Sequence, residues 1–310
     1  CNKTFLVSVK EGRRRCDSVW LKADTLAEFP AYNGVWLRVW CAELENDFGP
    51  LRLAPEETDG ETVYLVDRGD DAVWYEGNEG LGCWEEGHAT VNSISDLAAK
   101  DEATVFALDE NGKVAMSDDH GSTASWESKV DSKLDTGHTI AVQGDVVLVG
   151  SENGKVSFST DGGETFAKTS DLPSKAAGDI HVAFDTNFAT NNIIYAAAGN
   201  GAVGIYRGAA DETTEWKDLN AEPAGDDAEF YGVVLATEGT MYATYIDVDG
   251  DAGIARCLTP AKEACCKALN WDYLVENLTT QVFTLEPSSL KICGCLTADT
   301  NSLLWAVQFI

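Results

Sequence analysis

The feature that most constrains the fold of this chain is an internal repeat. Each copy has an apolar strand, a turn of the Asn-Gly type, a second strand, a polar turn and a terminal aromatic residue. Three clear copies and two weaker ones cover residues 103–129, 146–168, 193–219, 62–87 and 241–274. Tight hairpins are predicted at Asn111-Gly112, Asn153-Gly154 and Asn200-Gly201, because both central residues of a type I′ turn need positive φ.

The spacing of the terminal aromatic residues indicates the architecture. These residues are Trp84, Trp126, Phe166, Trp216 and Trp271, and they lie 42, 40, 50 and 55 residues apart. A period of this length with about four short strands is typical of β-propeller blades, which bury both faces by packing radially. We therefore predict an all-β propeller of about seven four-stranded blades, with six or eight as alternatives. A single domain spans 1–310, and its first repeat ends near Trp40.

Short segments rich in β-branched and aromatic residues predict the strands. The clearest are Phe5–Val9, Val35–Cys41, Val63–Val66, Thr104–Leu108, Val146–Val149, Ile193–Ala197, Met241–Ile246 and Leu303–Phe309. The clearest segment compatible with a helix is Thr259–Leu269, which contains Pro260. We expect a chain almost free of helix elsewhere.

The charge balance is strongly acidic, with a net charge of −30 from 52 acidic and 22 basic residues. Such a surface repels nucleic acid and anionic lipid. It is explained either by solubility and salt adaptation or by calcium uptake at defined loops. The sequence contains no run of eighteen apolar residues, so it predicts no membrane-spanning helix. The sequence begins at Cys1, which indicates either a processed, lipidated N-terminus or a fragment boundary.

Nine cysteines are many for a chain of this length. Disulfides in an oxidising compartment are the favoured explanation, and free buried thiols or a metal site are the alternatives. The candidates are Cys16, Cys41, Cys83, Cys257, Cys265, Cys266, Cys293 and Cys295. The last five fall within 39 residues, and we predict at least two disulfides among them. Adjacent cysteines such as Cys265 and Cys266 are expected to bond different partners because a ring between neighbours is strained.

One motif recurs at the same place in two repeats. It has the pattern S-x-D-x-G-x-T-[WF]: one copy comprises Ser159, Asp161, Gly163, Thr165 and Phe166, and the other comprises Ser117, Asp119, Gly121 and Trp126, with two residues inserted before the aromatic. The carboxylate is expected to accept backbone N–H groups inside the turn. Gly163 can supply a positive φ, and the aromatic ring can anchor the turn. We interpret these residues as structural, with a cation ligand as the alternative for the aspartates.

This motif resembles that of the Asp-box, or BNR-repeat, β-propellers, a group that includes sialidases, other glycoside hydrolases and sortilin-type receptors. The segments 136–166 and 182–216 are similar to large secreted surface proteins of environmental prokaryotes, some of which resemble components of cell-envelope layers (S-layers). The resemblance spans roughly residues 60–310. It implies a propeller and a cell-surface location, and it implies no specific activity.

A run of alternating aspartates is the candidate calcium site. Asp247, Asp249 and Asp251 place carboxylates on one side of a tight loop, as in calcium-binding loops. The run departs from the EF-hand pattern, which has Gly where this chain has Ala252 and Glu where it has Leu258. A plain Asp-Gly hairpin turn is the alternative interpretation.

Motifs for catalysis are missing from the sequence. There is no P-loop, G-x-S-x-G or H-E-x-x-H, and the eight arginines lack the Arg-Ile-Pro context with which sialidases open. We therefore predict a non-catalytic extracellular surface or adhesion protein, such as a subunit of a cell-envelope layer or filament. Its expected partners are other protein chains, copies of itself or glycans. The alternative is a sialidase-like or other carbohydrate-active enzyme with its site in the central funnel.

Overall fold

The computed structural model describes most of the chain between residues 48 and 262, together with separate strands near both ends. The described residues are 3–8, 17–23, 37–42, 48–54, 62–68, 70–77, 83–222, 227–236, 238–249, 252–262, 271–278, 282–283, 291–296 and 305–308. Side chains are described within these ranges from residue 49 to residue 273.

Contacts divide the chain into two compact units. Unit 1 comprises residues 1–107 and 115–129, and unit 2 comprises residues 108–114 and 130–310. The boundary runs through one hairpin, β9 (Val105–Asp109) and β10 (Lys113–Ser117). The single-domain assignment made from the sequence stays a prediction.

The described strands form seven sheets, five with four strands and two with three. In each sheet the strands lie in chain order, so each sheet is an antiparallel meander. The strands before β9 are β1 (Lys3–Ser8), β2 (Asp17–Ala23), β3 (Leu37–Ala42), β4 (Phe48–Leu53), β5 (Val63–Asp67), β6 (Ala72–Glu76), β7 (Glu85–His88) and β8 (Ile94–Ala99). They form the sheets β1–β3 and β4–β7 and the first strand of the sheet β8–β11.

The strands after β10 follow the same meander. They are β11 (Val130–Asp131), β12 (Thr139–Gln143), β13 (Val146–Gly150), β14 (Val156–Ser159), β15 (Ala167–Lys168), β16 (Asp179–Phe184), β17 (Ile193–Gly199), β18 (Ile205–Ala209), β19 (Lys217–Asp218), β20 (Glu229–Leu235), β21 (Met241–Ile246), β22 (Ala252–Cys257), β23 (Trp271–Leu278), β24 (Val282–Phe283), β25 (Lys291–Leu296) and β26 (Trp305–Gln308). The sheets are β12–β15, β16–β19, β20–β23 and β24–β26. The all-β prediction is confirmed, and each of the eight predicted strands overlaps an observed one.

Helix is confined, in the described residues, to α1 (Phe188–Asn191) and a 3₁₀ turn at Ser174–Ala176. The helix expected at 259–269 does not form in its described part, where the Lys262 N–H donates to the Thr259 carbonyl and closes a turn. The carbonyls of Pro260 and Lys262 instead accept the Arg207 guanidinium, at 2.9 and 2.6 Å from Nη1. Residues 263–269 lie outside the described residues.

Two of the three Asn-Gly turns lack the pair of positive φ angles expected for type I′ geometry. Only Asn200-Gly201 has positive φ at both residues, 54° and 84°. Asn111 and Asn153 do not have positive φ, and Gly112 and Gly154 do. In the first of these loops the Asp109 carboxylate accepts the N–H groups of Asn111 and Lys113, so a side chain shapes a longer turn in which only the glycine has positive φ.

The second strand of several sheets is buried along most of its length. β5 and β9 are buried at every residue, and β13 and β17 at every residue after the first. A strand that is buried on both faces has a nearly continuous run of apolar residues. The sequences of β5 (VYLVD) and β13 (VVLVG) show this pattern. Two clusters form the core of unit 2, centred on Tyr206 and on Tyr195 with Phe230, and one surrounds Tyr64 in unit 1.

The first strands of consecutive sheets pack side by side within each unit. β4 packs beside β8 in unit 1, and β12, β16, β20 and β24 follow one another in unit 2. Arg52 on β4 binds the buried Asp96 of β8 at 2.5 Å and the Leu97 carbonyl at 3.0 Å. Between β12 and β16, the Thr139 hydroxyl donates to the Ile180 carbonyl at 2.7 Å and accepts the Val182 N–H at 3.2 Å.

Candidate functional site

The motif at Ser159 forms a turn held by two side chains. The buried Ser159 hydroxyl accepts the Gly163 N–H at 2.9 Å and donates to Asp161 Oδ1 at 2.7 Å. Asp161 accepts the Thr165 N–H at 2.9 Å and the Thr165 hydroxyl at 2.5 Å. These bonds, led by the Thr165 hydroxyl, lower the pKa of Asp161 to about 2. Gly162 and Gly163 have φ of 74° and 91°, and Phe166 is buried.

The motif at Ser117 uses the same serine and a different aspartate. The Ser117 hydroxyl accepts the Gly121 N–H at 2.9 Å, and the buried Trp126 indole donates to the Gly121 carbonyl at 2.8 Å. Asp119 accepts the Ser122 hydroxyl at 3.1 Å, where a backbone donor was expected. In both turns the serine hydroxyl accepts a backbone N–H, and the carboxylate binds a residue three or four positions later, Ser122 in one turn and Thr165 in the other.

A third turn of this kind lies at Asp211, where the sequence pattern failed to identify it. Asp211 Oδ1 accepts the N–H and hydroxyl of Thr213 at 2.7 and 2.6 Å, and these bonds lower its pKa. The Thr214 hydroxyl accepts the Ala209 N–H at 2.7 Å. The motif's first serine is Ala209 here, which is why the pattern missed the turn. The remaining signal was an Asp followed by Thr and Trp216 at the repeat spacing.

The turns at Ser117 and Asp211 contact the preceding sheet in a contact that we term the outer junction. In unit 1, His88 at the end of β7 donates its backbone N–H to the Thr123 hydroxyl at 3.1 Å, and the Thr90 hydroxyl donates to the Glu127 carbonyl at 2.6 Å. In unit 2, Ser170 after β15 donates its hydroxyl to the Glu212 carbonyl at 3.0 Å. These two turns therefore fasten one sheet to the next.

Two of the terminal aromatics also join consecutive sheets. Every terminal aromatic precedes, or begins, the last strand of its sheet. The Trp216 indole donates to the Ser170 carbonyl and the Trp271 indole to the Leu219 carbonyl, both at 3.0 Å. Each of these two acceptors follows the last strand of the preceding sheet, so the two bonds repeat at equivalent positions of consecutive sheets.

Ionisable side chains gather at the start of the first strands of three consecutive sheets in unit 2. We name His138, Asp179, His181, Glu229 and Tyr231 the inner-strand cluster. The rings of His138 and His181 meet edge to face with centroids 4.8 Å apart, and His138 Nδ1 lies 4.0 Å from Asp179 Oδ2. The histidines meet because the Thr139 hydroxyl holds β12 against residues 180–182.

Tyr231 and Glu229 form the third part of the inner-strand cluster. The Tyr231 hydroxyl donates to Glu229 Oε2 at 2.5 Å. Burial, this bond and the charges of Glu229 and Asp179 raise the pKa of Tyr231 to about 12. The cluster thus presents two imidazoles, two carboxylates and a phenol, which can bind a polar ligand or transfer a proton. The four histidines look dispersed in the sequence, and the packing of consecutive sheets brings His138 and His181 together.

Two cysteines in the described residues are free thiols, which corrects the disulfide prediction for them. Cys83 is exposed just before β7. Cys257 is 1% exposed because its side chain faces the unit 2 core at the end of β22, and burial raises the pKa of its thiol. The side chains of Cys16, Cys41, Cys265, Cys266, Cys293 and Cys295 lie outside the described residues, so their pairing stays a prediction.

The proposed calcium loop is described only in part. Asp247 Oδ1 accepts the Asp249 N–H at 3.0 Å, and both residues lie at the end of the β21 hairpin. Gly250 and Asp251 lie outside the described residues. No helix within the described part of the chain is both long and apolar enough to cross a membrane.

Comparison with known proteins shows the class of this chain. No protein-family model matches it, and no curated protein matches it. Solved structures do match, and together with the meandering sheets they show a β-propeller fold. Because the sequence identities are low, the likeness shows the fold alone.

Three of these structures illustrate the range of functions on this fold. Virginiamycin B lyase from Staphylococcus aureus, a catalytically inactive variant with quinupristin, matches with a TM-score of 0.61 and 10% identity over 95% of this chain and 96% of that one. The WD40 repeats of RRP9 match with a TM-score of 0.61 and 11% identity over 94% and 90%. A GH74 xyloglucanase from Xanthomonas campestris matches with 0.54 and 18% over 79% and 39%.

Proposed function

We propose that this propeller is a non-catalytic surface or adhesion protein of the Asp-box type, located outside the cell and assembled with copies of itself, other proteins or glycans. The observation that carries the proposal concerns its carboxyl groups. Hydrogen bonds lower the pKa of Asp131, Asp161 and Asp211: the Lys113 ammonium on the neighbouring strand is the main cause at Asp131, and hydroxyl and backbone groups of the same turn are the cause at Asp161 and Asp211.

This pattern is a structural use of carboxylates. Asp131, Asp161 and Asp211 stay ionised at neutral pH and accept hydrogen bonds that order their turns, on an acidic chain with a net charge of −30. A surface of this kind repels its own copies, so close assembly requires cations between the carboxylates. Calcium at Asp247, Asp249 and Asp251 is part of the proposal.

The experiment measures assembly, thermal stability, glycan binding and cellular location. The full chain is run in sedimentation and thermal melts with calcium and then with chelator, and it is screened on a glycan array. We expect calcium to raise the melting temperature or the sedimenting mass. Protease treatment of intact host cells should remove the protein. Melts and masses that are identical with calcium and chelator would count against the calcium part, and protection from protease would count against the location.

A second candidate is a carbohydrate-active enzyme, favoured by one feature of the inner-strand cluster. Asp179 and Glu229 begin the first strands of two adjacent sheets, where a pair of carboxyl groups could act on a glycosidic bond. A panel of polysaccharides tests it by reducing-end release. Release that Asp179→Asn and Glu229→Gln each abolish would replace the non-catalytic proposal.

A further inference from the structure

We propose that Asp70, Glu86 and His88 bind a divalent transition metal of the zinc type on the surface of unit 1. These residues offer two carboxylate oxygens and one imidazole nitrogen that all lie within 4.8 Å of one another. Within the part of the chain that the structure describes, this is the one group of three His, Cys, Asp or Glu side chains that meets this distance. It goes beyond the proposed surface function and beyond the calcium loop.

Strand register explains why the three side chains meet. Glu86 and His88 are two residues apart on β7, so they face the same side of the sheet. His88 pairs with Ala72, the first residue of β6. Asp70 belongs to the loop that leads into β6, beside His88. The sequence separates Asp70 from His88 by 18 residues, and the antiparallel pairing of β6 with β7 removes that separation.

The geometry around His88 suits a ligand. Its Nδ1 lies 3.4 Å from the Asp70 carbonyl oxygen. Metal-binding histidines commonly donate one ring N–H to a backbone carbonyl, which fixes the tautomer and leaves the other nitrogen for the metal. The backbone of His88 is also fixed, because its N–H donates to the Thr123 hydroxyl in the outer junction.

The ligand types select the metal. Imidazole with carboxylates suits zinc and its transition-metal neighbours, whereas calcium takes six to eight oxygens. Ligand atoms on a tetrahedral zinc lie about 3.3 Å apart, because each bond is about 2.0–2.1 Å long. Since all three residues are exposed, small side-chain rotations close the remaining gap. Three protein ligands leave at least one position for water or for a donor from a partner.

The test measures metal binding by the full chain, with zinc followed by calorimetry and cobalt followed by its visible absorption. We expect one site that a tenfold excess of calcium does not displace. His88→Ala and Glu86→Gln should each weaken zinc binding at least about tenfold, since even loss of an outer partner costs a metal site about 10–100-fold. The matched control is Glu85→Gln, which removes the same charge from the neighbouring residue, whose carboxylate binds the Tyr75 hydroxyl at 3.1 Å.

Three outcomes would overturn the proposal. The first is the absence of a saturable zinc site in the wild-type chain. The second is equal weakening by Glu85→Gln and Glu86→Gln, which would show diffuse attraction to an acidic surface. The third is displacement by calcium. Melting curves without metal confirm that each variant is folded, so that a loss of binding is not a loss of structure.

Discussion

The indole N–H of Trp216 donates a hydrogen bond to the carbonyl oxygen of Ser170, with 3.0 Å between nitrogen and oxygen. The same serine donates its hydroxyl to the Glu212 carbonyl at 3.0 Å. Ser170 follows the last strand of one sheet, and Trp216 and Glu212 flank the last turn of the next. Ser170 therefore donates one hydrogen bond and accepts another, and both join the sheet β12–β15 to the sheet β16–β19.

Trp216→Phe should weaken this junction, because it removes the indole N–H and leaves a smaller aromatic ring. We expect the free energy of unfolding to fall by at least about 0.5–1.5 kcal/mol, the net value of one hydrogen bond, because the Ser170 carbonyl loses its donor and the indole no longer packs on Gly208. Trp271→Phe removes the equivalent bond to Leu219 and should have a similar effect. Denaturant unfolding of both variants measures it. Stability equal to that of the wild type in both would show that the indole bonds do not contribute.

Gly87→Ala should disrupt the outer junction of unit 1. A Cβ at Gly87 would lie 1.8 Å from the Gly121 carbonyl oxygen, so the strand and the turn would have to separate. We expect a loss of about 1–3 kcal/mol or more, as for other overpacked sites. Gly77→Ala is the matched control, since the nearest atom to its Cβ is 3.9 Å away. A melting temperature lowered equally by both variants would contradict the steric explanation.

The pKa of Asp161 offers a test of the motif turn by acid titration. Its value of about 2 lies below the ordinary 3.8, so the ionised carboxylate stabilises the folded turn above about pH 4. That contribution is lost as the pH falls towards 2. Thr165→Val removes the hydroxyl that lowers the pKa most, and the pKa should rise towards 3.8. Carboxyl carbon chemical shifts follow the titration; an unchanged midpoint would exclude the Thr165 bond as the cause.

The two described thiols should react at very different rates. Cys83 is exposed, and Cys257 is buried with a raised pKa, so the thiolate that reacts is scarce and shielded at Cys257. Alkylation of the native chain followed by peptide mass spectrometry should label Cys83 and spare Cys257 until denaturant is added. The same unreduced map shows whether Cys265, Cys266, Cys293 and Cys295 form the predicted disulfides. Labelling of Cys257 in the native chain would contradict its burial.

Local patterns in the sequence were sufficient to predict the strands and the repeat. Alternating and continuous apolar runs located β5, β13 and β21, because the burial of a strand determines which of its consecutive residues are apolar. Interactions between distant segments could not be predicted in this way. The carbonyls of Pro260 and Lys262 bind Arg207, which lies more than fifty residues earlier in the chain. The helix propensity of residues 259–269 takes no account of that long-range bond.

The candidate sites show the same division. The motif residues from Ser159 to Phe166 lie within one turn, so their bonds follow from spacing alone. His138 and His181 are brought together by the packing of β12 against β16 of the next sheet, and Asp70 and His88 by the pairing of β6 with β7. A sequence without known sheet order gives no signal for either pair. The disulfide prediction failed at Cys257 because the inward direction of its side chain depends on strand register.

The indole bonds of Trp216 and Trp271 have a direction along the chain: each reaches back to a residue that precedes it. A ribosome releases the earlier sheet first, so each tryptophan emerges when its acceptor carbonyl is already in place. Each of these two bonds can therefore form as soon as its tryptophan has been synthesised. A circular permutant that begins between Ser170 and Trp216 would reverse this order and make the Trp216 bond the last to form.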